Sequence, residues 1–366
     1  MICYEGIYEV IGIRADANKT IATGHVMRCM TIAREIINLG EQVVFIVADK
    51  ESETFVNDRF KDDFKDGFEC TVLNSTWSLP VEEVDKLASL IKEKNIRSIL
   101  FDSYSFDADY FFKLKEAIER QMPDKKEDII LACMNDVAAE KYPVDIFINY
   151  NAYATTLGYD DIYTGETRLL LGLNYAPLRE QFTRIYNSEH DMPENVLVAA
   201  GGGDVTGILL DILEEAQKEP ELARIDFHAV VGSMTDDQDD LMRLAWCCEN
   251  IFLHRNVTDM AKLMSQCDAA ISAAGTMLTE LCCMKVPTIE YAIADNQLMN
   301  AEYYKEHGLM IGAGDMRSDR SVVVKRIVRE LKELVSDRKR LATMRRSLEG
   351  ICDGRGAKRI AQELCS

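Results

Sequence analysis

No stretch of about 18 consecutive apolar residues occurs in the chain, so no bilayer-crossing helix is expected. Met1 to Ile13 lacks the basic start and long apolar core of a secretory leader, and a cytoplasmic location is expected. Positive charge is in short supply. Forty-two Lys and Arg face 62 Asp and Glu, leaving a formal net charge of −20. Such a surface repels nucleic acid and anionic lipid, so neither nucleic acid nor a stably bound membrane is an expected partner, and any anionic ligand has to be held locally. There are eleven cysteines but no CxxC spacing, and the five histidines form no cluster beside them. That excludes the common zinc and dithiol patterns and leaves most cysteines as small buried hydrophobes in a reducing compartment. No repeat with a period of about 20–50 residues is present.

The chain that remains is long and ordinary in composition. Its 366 residues, 47% hydrophobic and 28% charged, exceed what one hydrophobic core usually fills, so two domains are expected. Short β-branched runs alternate with longer amphipathic segments throughout, the pattern of parallel sheets flanked by helices, and the fold class is α/β. In the first half, strands are expected at Ile7 to Ile13, Gln42 to Val47, Ser98 to Phe101, Ile129 to Cys133 and Asp145 to Ile148. Helical patterns cover Val26 to Leu39, Val81 to Lys94 and Asp107 to Gln121. The polar run Asn187 to Asn195 has the composition of a linker. A second series of strands follows at Val196 to Ala199, Asp226 to Val231, Ile251 to Leu253, Ala269 to Ile271, Thr288 to Tyr291 and Leu309 to Ile311. Each half is doubly wound. The expected organisation is an N-terminal Rossmann-like domain over residues 1–186, a second over 187–350, and a C-terminal helix in 351–366 packing back on the first, with a cleft between the two domains.

Ligands of doubly wound sheets gather beyond the carboxyl ends of the strands, so the residues that follow strands are the candidates. The first strand opens into Arg14 to His25 and then a helix. Gly24 there permits close approach of a ligand, and a histidine is the side chain suited to taking a proton from water or a hydroxyl at working pH. His25 is therefore a candidate general base, or else a helix-capping or phosphate-contacting histidine. Arg28, one turn on, either orients the ligand or pairs with an acid. Gly201-Gly202-Gly203-Asp204, after the strand ending at Ala199, matches neither GxGxxG nor a P-loop. A turn of this kind either cradles phosphate or is a structural turn capped by Asp204. Gly275-Thr276, again after a strand, is a second phosphate-type turn, and Glu280 one helical turn later either suits ribose hydroxyls or is an exposed helix acid. Asn296 and Gln297 follow another strand and suit sugar hydroxyls or a water, with helix capping as the alternative for Asp295 and Asn296. Tyr104, at the end of Phe101-Asp102-Ser103-Tyr104, is either a sugar contact or a packing tyrosine.

Taken in order, several segments resemble one family over most of the chain. They are Arg14 to Arg28, Asp102 to Tyr104, Asn149-Tyr150-Asn151-Ala152-Tyr153, Leu171 to Arg179, the Gly201 turn, Gly275 to Glu280 and Asn296-Gln297. The family is that of the UDP-2,4-diacetamido-2,4,6-trideoxy-β-L-altropyranose hydrolases of pseudaminic acid biosynthesis. It is similar in fold to the GT-B glycosyltransferase that makes lipid II, so the resemblance implies a GT-B fold. It also implies that water replaces UDP at the anomeric carbon of a UDP-sugar, with C–O cleavage and inversion. The catalytic residues it implies are His25, Tyr104 and Asn296. Substrate binding then falls to Arg14, Asp16, Gly24, Arg28, Gly201, Gly202, Gly203, Asp204, Gly275, Thr276, Glu280 and Gln297, with backbone near Val257 on the base. No metal and no cofactor are implied, the UDP-sugar is the partner, and a monomer is expected. Ala17-Asn18, Ala22 and Gly203 differ from the family's usual residues. Two other functions fit the same motifs. A GT-B glycosyltransferase would use His25 on an acceptor hydroxyl, and a non-catalytic nucleotide-sugar binder would keep the glycine turns and Glu280 without needing His25.

Overall fold

The computed structural model describes residues 9–18, 21, 23–60, 63, 64, 66–124, 128–136, 140–184, 193–200, 207–232, 235 and 238–366. The chain divides into two units, Met1–Arg179 with Arg355–Ser366, and Glu180–Gly354. The C-terminal segment is thus part of the first unit. The first crossover falls at Arg179/Glu180, before the polar run, because the short helix Glu180–Thr183 buries Gln181 and Phe182, and Gln181 Oε1 accepts from Ala261 N at 3.1 Å within the second unit.

In the first unit the strands are β1 (Val10–Ala15), β2 (Gln42–Val47), β3 (Phe68–Val72), β4 (Ile96–Asp102), β5 (Ile130–Met134), β6 (Ile146–Asn149) and β7 (Arg168–Leu171). Every described pairing is parallel, and the order is β3-β2-β1-β4-β5-β6-β7. The helices are α1 (Gly24–Asn38), α2 (Lys50–Phe60), α3 (Val84–Glu93), α4 (Ala108–Gln121) and the single turn α5 (Tyr159–Ile162). Apolar residues three and four apart decide which helix face is buried: Cys29, Ile32, Ala33 and Ile36 in α1, and Val84, Leu87, Ala88 and Ile91 in α3. The inner strands β2 and β4 are buried on both faces over 43–47 and 98–102, as parallel strands between helices are.

The second unit has β8 (Asn195–Ala199), β9 (Asp226–Val231), β10 (Ile251–Arg255), β11 (Ala269–Ala273), β12 (Thr288–Ala292) and β13 (Ile311–Asp315), all parallel, in the order β10-β9-β8-β11-β12-β13. Its helices are α6 (Ile208–Ala216), α7 (Gln238–Cys247), α8 (Met260–Ser265), α9 (Met277–Cys283), α10 (Asp295–Glu306), α11 (Arg320–Ser336) and α12 (Arg338–Ser347). One sheet face, with Val196, Phe227, Ile271 and Tyr291, packs on Leu209 and Leu213 of α6 and on Ile327 and Leu331 of α11. The last helix, α13 (Gly356–Leu364), returns to the first unit and sets Ile360, Ala361 and Leu364 into the same core as α1.

Both sheets change direction once. In the first, the chain builds outward one way from β1 and the other way from β4. In the second, the same reversal lies between β8 and β11. Such switch points leave a crevice at the strands' carboxyl ends because the flanking helices run to opposite sides.

Candidate active site

At the first unit's switch point, the loop after β1 and the end of β4 bring His25 and Asp102 together. His25 Nδ1 lies 2.7 Å from Asp102 Oδ1, with the imidazole 12% exposed and the carboxylate fully buried. Arg28, one turn along α1, grips the same carboxylate. Its Nε donates to Oδ2 at 2.6 Å and its Nη2 to Oδ1 at 2.5 Å, while Nη1 donates to the Tyr150 hydroxyl at 2.6 Å. Cys29 Sγ adds a longer contact to Oδ2 at 3.4 Å. Burial alone would raise the Asp102 pKa, but Arg28 and His25 hold the carboxyl well below the usual range, so it is an anion at neutral pH. An anion accepts only. The proton between Asp102 and His25 therefore sits on Nδ1, and in the neutral imidazole the lone pair is on Nε2.

Arg28 also lies 2.9 Å from His25 Nδ1, yet a protonated Nδ1 offers it no lone pair. The arginine thus acts on Asp102, and through Asp102 on the imidazole. Tyr104, 58% exposed, meets the His25 ring edge-on with centroids 5.0 Å apart and planes at 84°. Partial desolvation of the phenol and the facing Asp136 carboxylate push it above the ordinary value, so it stays a neutral donor. Asn151 Nδ2 reaches Asp136 Oδ2 at 3.3 Å, bringing a polar wall of Tyr104, Asp136 and Asn151 beside the histidine. Gly24 opens α1 with nothing within 4 Å of where a Cβ would stand, so the space over the start of this helix is open.

Arg14 and Asp16, expected among the substrate contacts, are elsewhere. Arg14 is 0% and Asp16 2% exposed. The guanidinium donates to Asp16 Oδ2 at 2.6 Å and to both oxygens of the fully buried Glu83, at 2.8 and 3.0 Å. Glu83 is satisfied further by Ser75 Oγ at 2.6 Å, and Asp16 Oδ1 accepts from Ala48 N at 2.7 Å. The network is closed on itself, and side chains so enclosed present nothing to a ligand.

The second unit supplies a separate set. Gly275 and Thr276 join β11 to α9 at that sheet's switch point, and Glu280 is half-buried on α9. Gln297, in the first turn of α10, accepts from Ile293 N at 2.9 Å through Oε1, and its Nε2 would lie 3.7 Å from a Cβ on Gly275. The structure thus brings Gln297 to Gly275, across the neighbouring ends of β11 and β12. Asn296 is exposed at the start of α10, and Asp295 beside it pairs with Arg317 at 2.7 Å. Val257 follows β10, the edge strand, with β9 and β8 between it and β11. Gly201, Gly202, Gly203 and Asp204 lie outside the described residues.

The chain is similar to several known proteins. The spore coat polysaccharide biosynthesis protein SpsG of Bacillus subtilis is 23% identical over 361 residues, 96% of each chain. The UDP-2,4-diacetamido-2,4,6-trideoxy-β-L-altropyranose hydrolase of Campylobacter jejuni is 22% identical over 297 residues, 81% of this chain and 96% of that one. The chain is a distant relative of that hydrolase. A family described as a protein of unknown function (DUF354) matches residues 194–353, nearly all of the second unit. Among solved structures, the glycosyltransferase-type fold of Acinetobacter baumannii MurG superposes with a TM-score of 0.66 at 13% identity, over 98% of this chain and 99% of that one. The fold is GT-B.

Asp102, Tyr150 and Asp136 were given no role by the sequence alone. The signals available were that Asp102 closes the apolar strand Ser98 to Phe101 and that Asp102 and Tyr150 stand in segments that carry the family resemblance. No helix among the described residues is long and apolar enough to cross a membrane.

Proposed function

We propose that the protein hydrolyses a UDP-linked 2,4-diacetamido-2,4,6-trideoxy sugar to UDP and the free sugar, as in nonulosonic acid biosynthesis. The observation that carries this reading is the buried Asp102 anion 2.7 Å from His25 Nδ1, which, with the proton on Nδ1, leaves Nε2 as the proton acceptor. In the proposed step, Nε2 takes a proton from water as the water oxygen bonds to the anomeric carbon. The bond from that carbon to the UDP oxygen breaks, and its electron pair leaves with the diphosphate. Water entering opposite the leaving group inverts the configuration. Asp102 takes no proton; it holds the tautomer and stabilises the imidazolium that forms. A base so held contributes about 10² to 10⁴ in rate.

In this reading Tyr104 and Asn296 contact the reacting sugar. Gly275, Thr276, Glu280 and Gln297 hold the nucleotide, with Gly201 to Asp204 and backbone near Val257. The identity of the sugar rests on the likeness to the C. jejuni enzyme, named for that substrate. The test is incubation of the purified chain with the UDP-sugar and no acceptor, followed by NMR. Release of UDP and free sugar is expected, and His25→Ala should lose it. Turnover that begins only when an acceptor is added would make the protein a glycosyltransferase. Tight binding with no turnover would make it a binder.

A further inference from the structure

β12 carries Glu290 in the middle of a strand whose five residues are all buried. A carboxyl there breaks the apolar pattern of the sheet, and such local conflicts mark functional positions. Glu290 is 2% exposed and its Oε2 has no hydrogen-bond partner. On either side, the register pairs it with Ser272 of β11 and Gly312 of β13, neither of them charged. Gly312 makes the room: a Cβ on it would stand 2.9 Å from Glu290 Oε1 and 2.8 Å from Lys305 Cδ. From the covering helix α10, Lys305 is the charged group that bears on Glu290, and its stem crosses the same glycine. Tyr304, the neighbour of Lys305, is buried, and its hydroxyl has no hydrogen-bond partner among the described residues.

α10 is thus fastened to the sheet at its first turn, while at its last turn the Lys305 stem stands beside Glu290 over Gly312. Its first turn is fastened by Gln297 to Ile293 N at 2.9 Å and by Asp295 to Arg317 at 2.7 Å. Its last turn lies over Glu290. Twelve helical residues make a rod of about 18 Å, stiff enough to carry a shift from one end to the other. We propose that Glu290 is a positioning residue that, when ionised, draws in Lys305 and sets α10, and with it Asn296 and Gln297, for nucleotide binding, and that releases the helix when protonated. The proposal rests on the use of α10 for UDP given above. Burial raises the Glu290 pKa to about 7, with Lys305 pulling it down, so the two states exchange near neutrality. Binding favours the ionised state, and by reciprocity UDP favours loss of the proton.

The test uses the full chain. An NMR titration from about pH 6 to about pH 8 follows the Glu290 carboxyl carbon and the Asn296 and Gln297 amides, in wild type and in Lys305→Met. A shared inflection is expected, moved upward for Glu290 and lost from the amides in Lys305→Met. Amides that do not follow Glu290, or a Glu290 inflection indifferent to Lys305→Met, would overturn the proposal. Calorimetry with UDP should show binding about fivefold weaker at the lower pH in wild type, beyond the change that Glu290→Gln retains from the phosphate itself. An equal pH dependence in Glu290→Gln would also overturn it. If wild type binds no UDP at either pH, the proposed function fails, and the shared inflection still decides the Glu290 coupling.

Discussion

Asp102 shapes the candidate site as much as His25 does, because it fixes which imidazole nitrogen is able to act. Removing the imidazole with His25→Ala should lower kcat/KM by about 10² to 10⁴. Asp102→Asn should cost a comparable factor, up to about 10⁴, with the fold retained, since an amide can present its own N–H to Nδ1 and so favour the wrong tautomer. Steady-state kinetics on the UDP-sugar check both, and an Asp102→Asn enzyme at full rate would remove the dyad. Arg14 belongs to stability instead. Arg14→Ala leaves Glu83 and Asp16 buried without their counter-charge, and should cost about 3–5 kcal/mol in chemical denaturation. The histidine was legible because it stands in a loop leaving a strand and opening a helix. Its partner was not: the two are 77 positions apart, and an aspartate at a strand end has several ordinary uses. Arg14 and Asp16 share that loop, but their burial depends on Glu83, 69 positions beyond Arg14, and no local pattern reports it.

Among elements, the central strands were legible as apolar runs, as was the edge strand β10, whereas the edge strands β3 and β7 were not. β3 and β7 stand at the two ends of the first sheet. With one side open, β3 has only half-buried and exposed residues, and its Phe-Glu-Cys-Thr-Val carries no continuous apolar run. β7 is four residues long. β13 was expected from Leu309 to Ile311 and instead runs Ile311–Asp315 through Gly312 and Gly314, residues of low strand propensity that β12 nonetheless pairs with. Gly312 is a glycine because Glu290 and Lys305 occupy the space its side chain would take. Gly356 illustrates the same principle at the start of α13, where a Cβ would come 2.2 Å from Ala176 O and 2.4 Å from Ala176 N. Gly356→Ala should therefore lift α13 from the first unit at a cost of about 1–3 kcal/mol or more, seen as faster hydrogen exchange at Ile360 and Ala361. Unchanged protection would show that the helix start accommodates a methyl group.

At the scale of the molecule, a doubly wound sheet in each unit was legible from the alternation of elements, and the reversal in each strand order explains why the informative loops follow β1, β4, β8 and β11. The pH dependence of stability also belongs here. Glu290 has its folded-state pKa raised by burial from 4.5 to about 7, so its contribution is fully present below the lower value and is lost as pH rises through the higher. Glu290→Gln should flatten that part of the melting-temperature profile of the second unit. Asp102 has the opposite sign, since its folded pKa is depressed from 3.8, and its contribution is lost as the solution is made more acid. The claim that unites these features is that water, activated by His25, attacks the sugar carbon. Turnover of the UDP-sugar in ¹⁸O-labelled water, with no acceptor present and both products weighed by mass spectrometry, tests it most directly. The account predicts label in the free sugar and none in UDP; label in UDP, or no turnover at all, would contradict it.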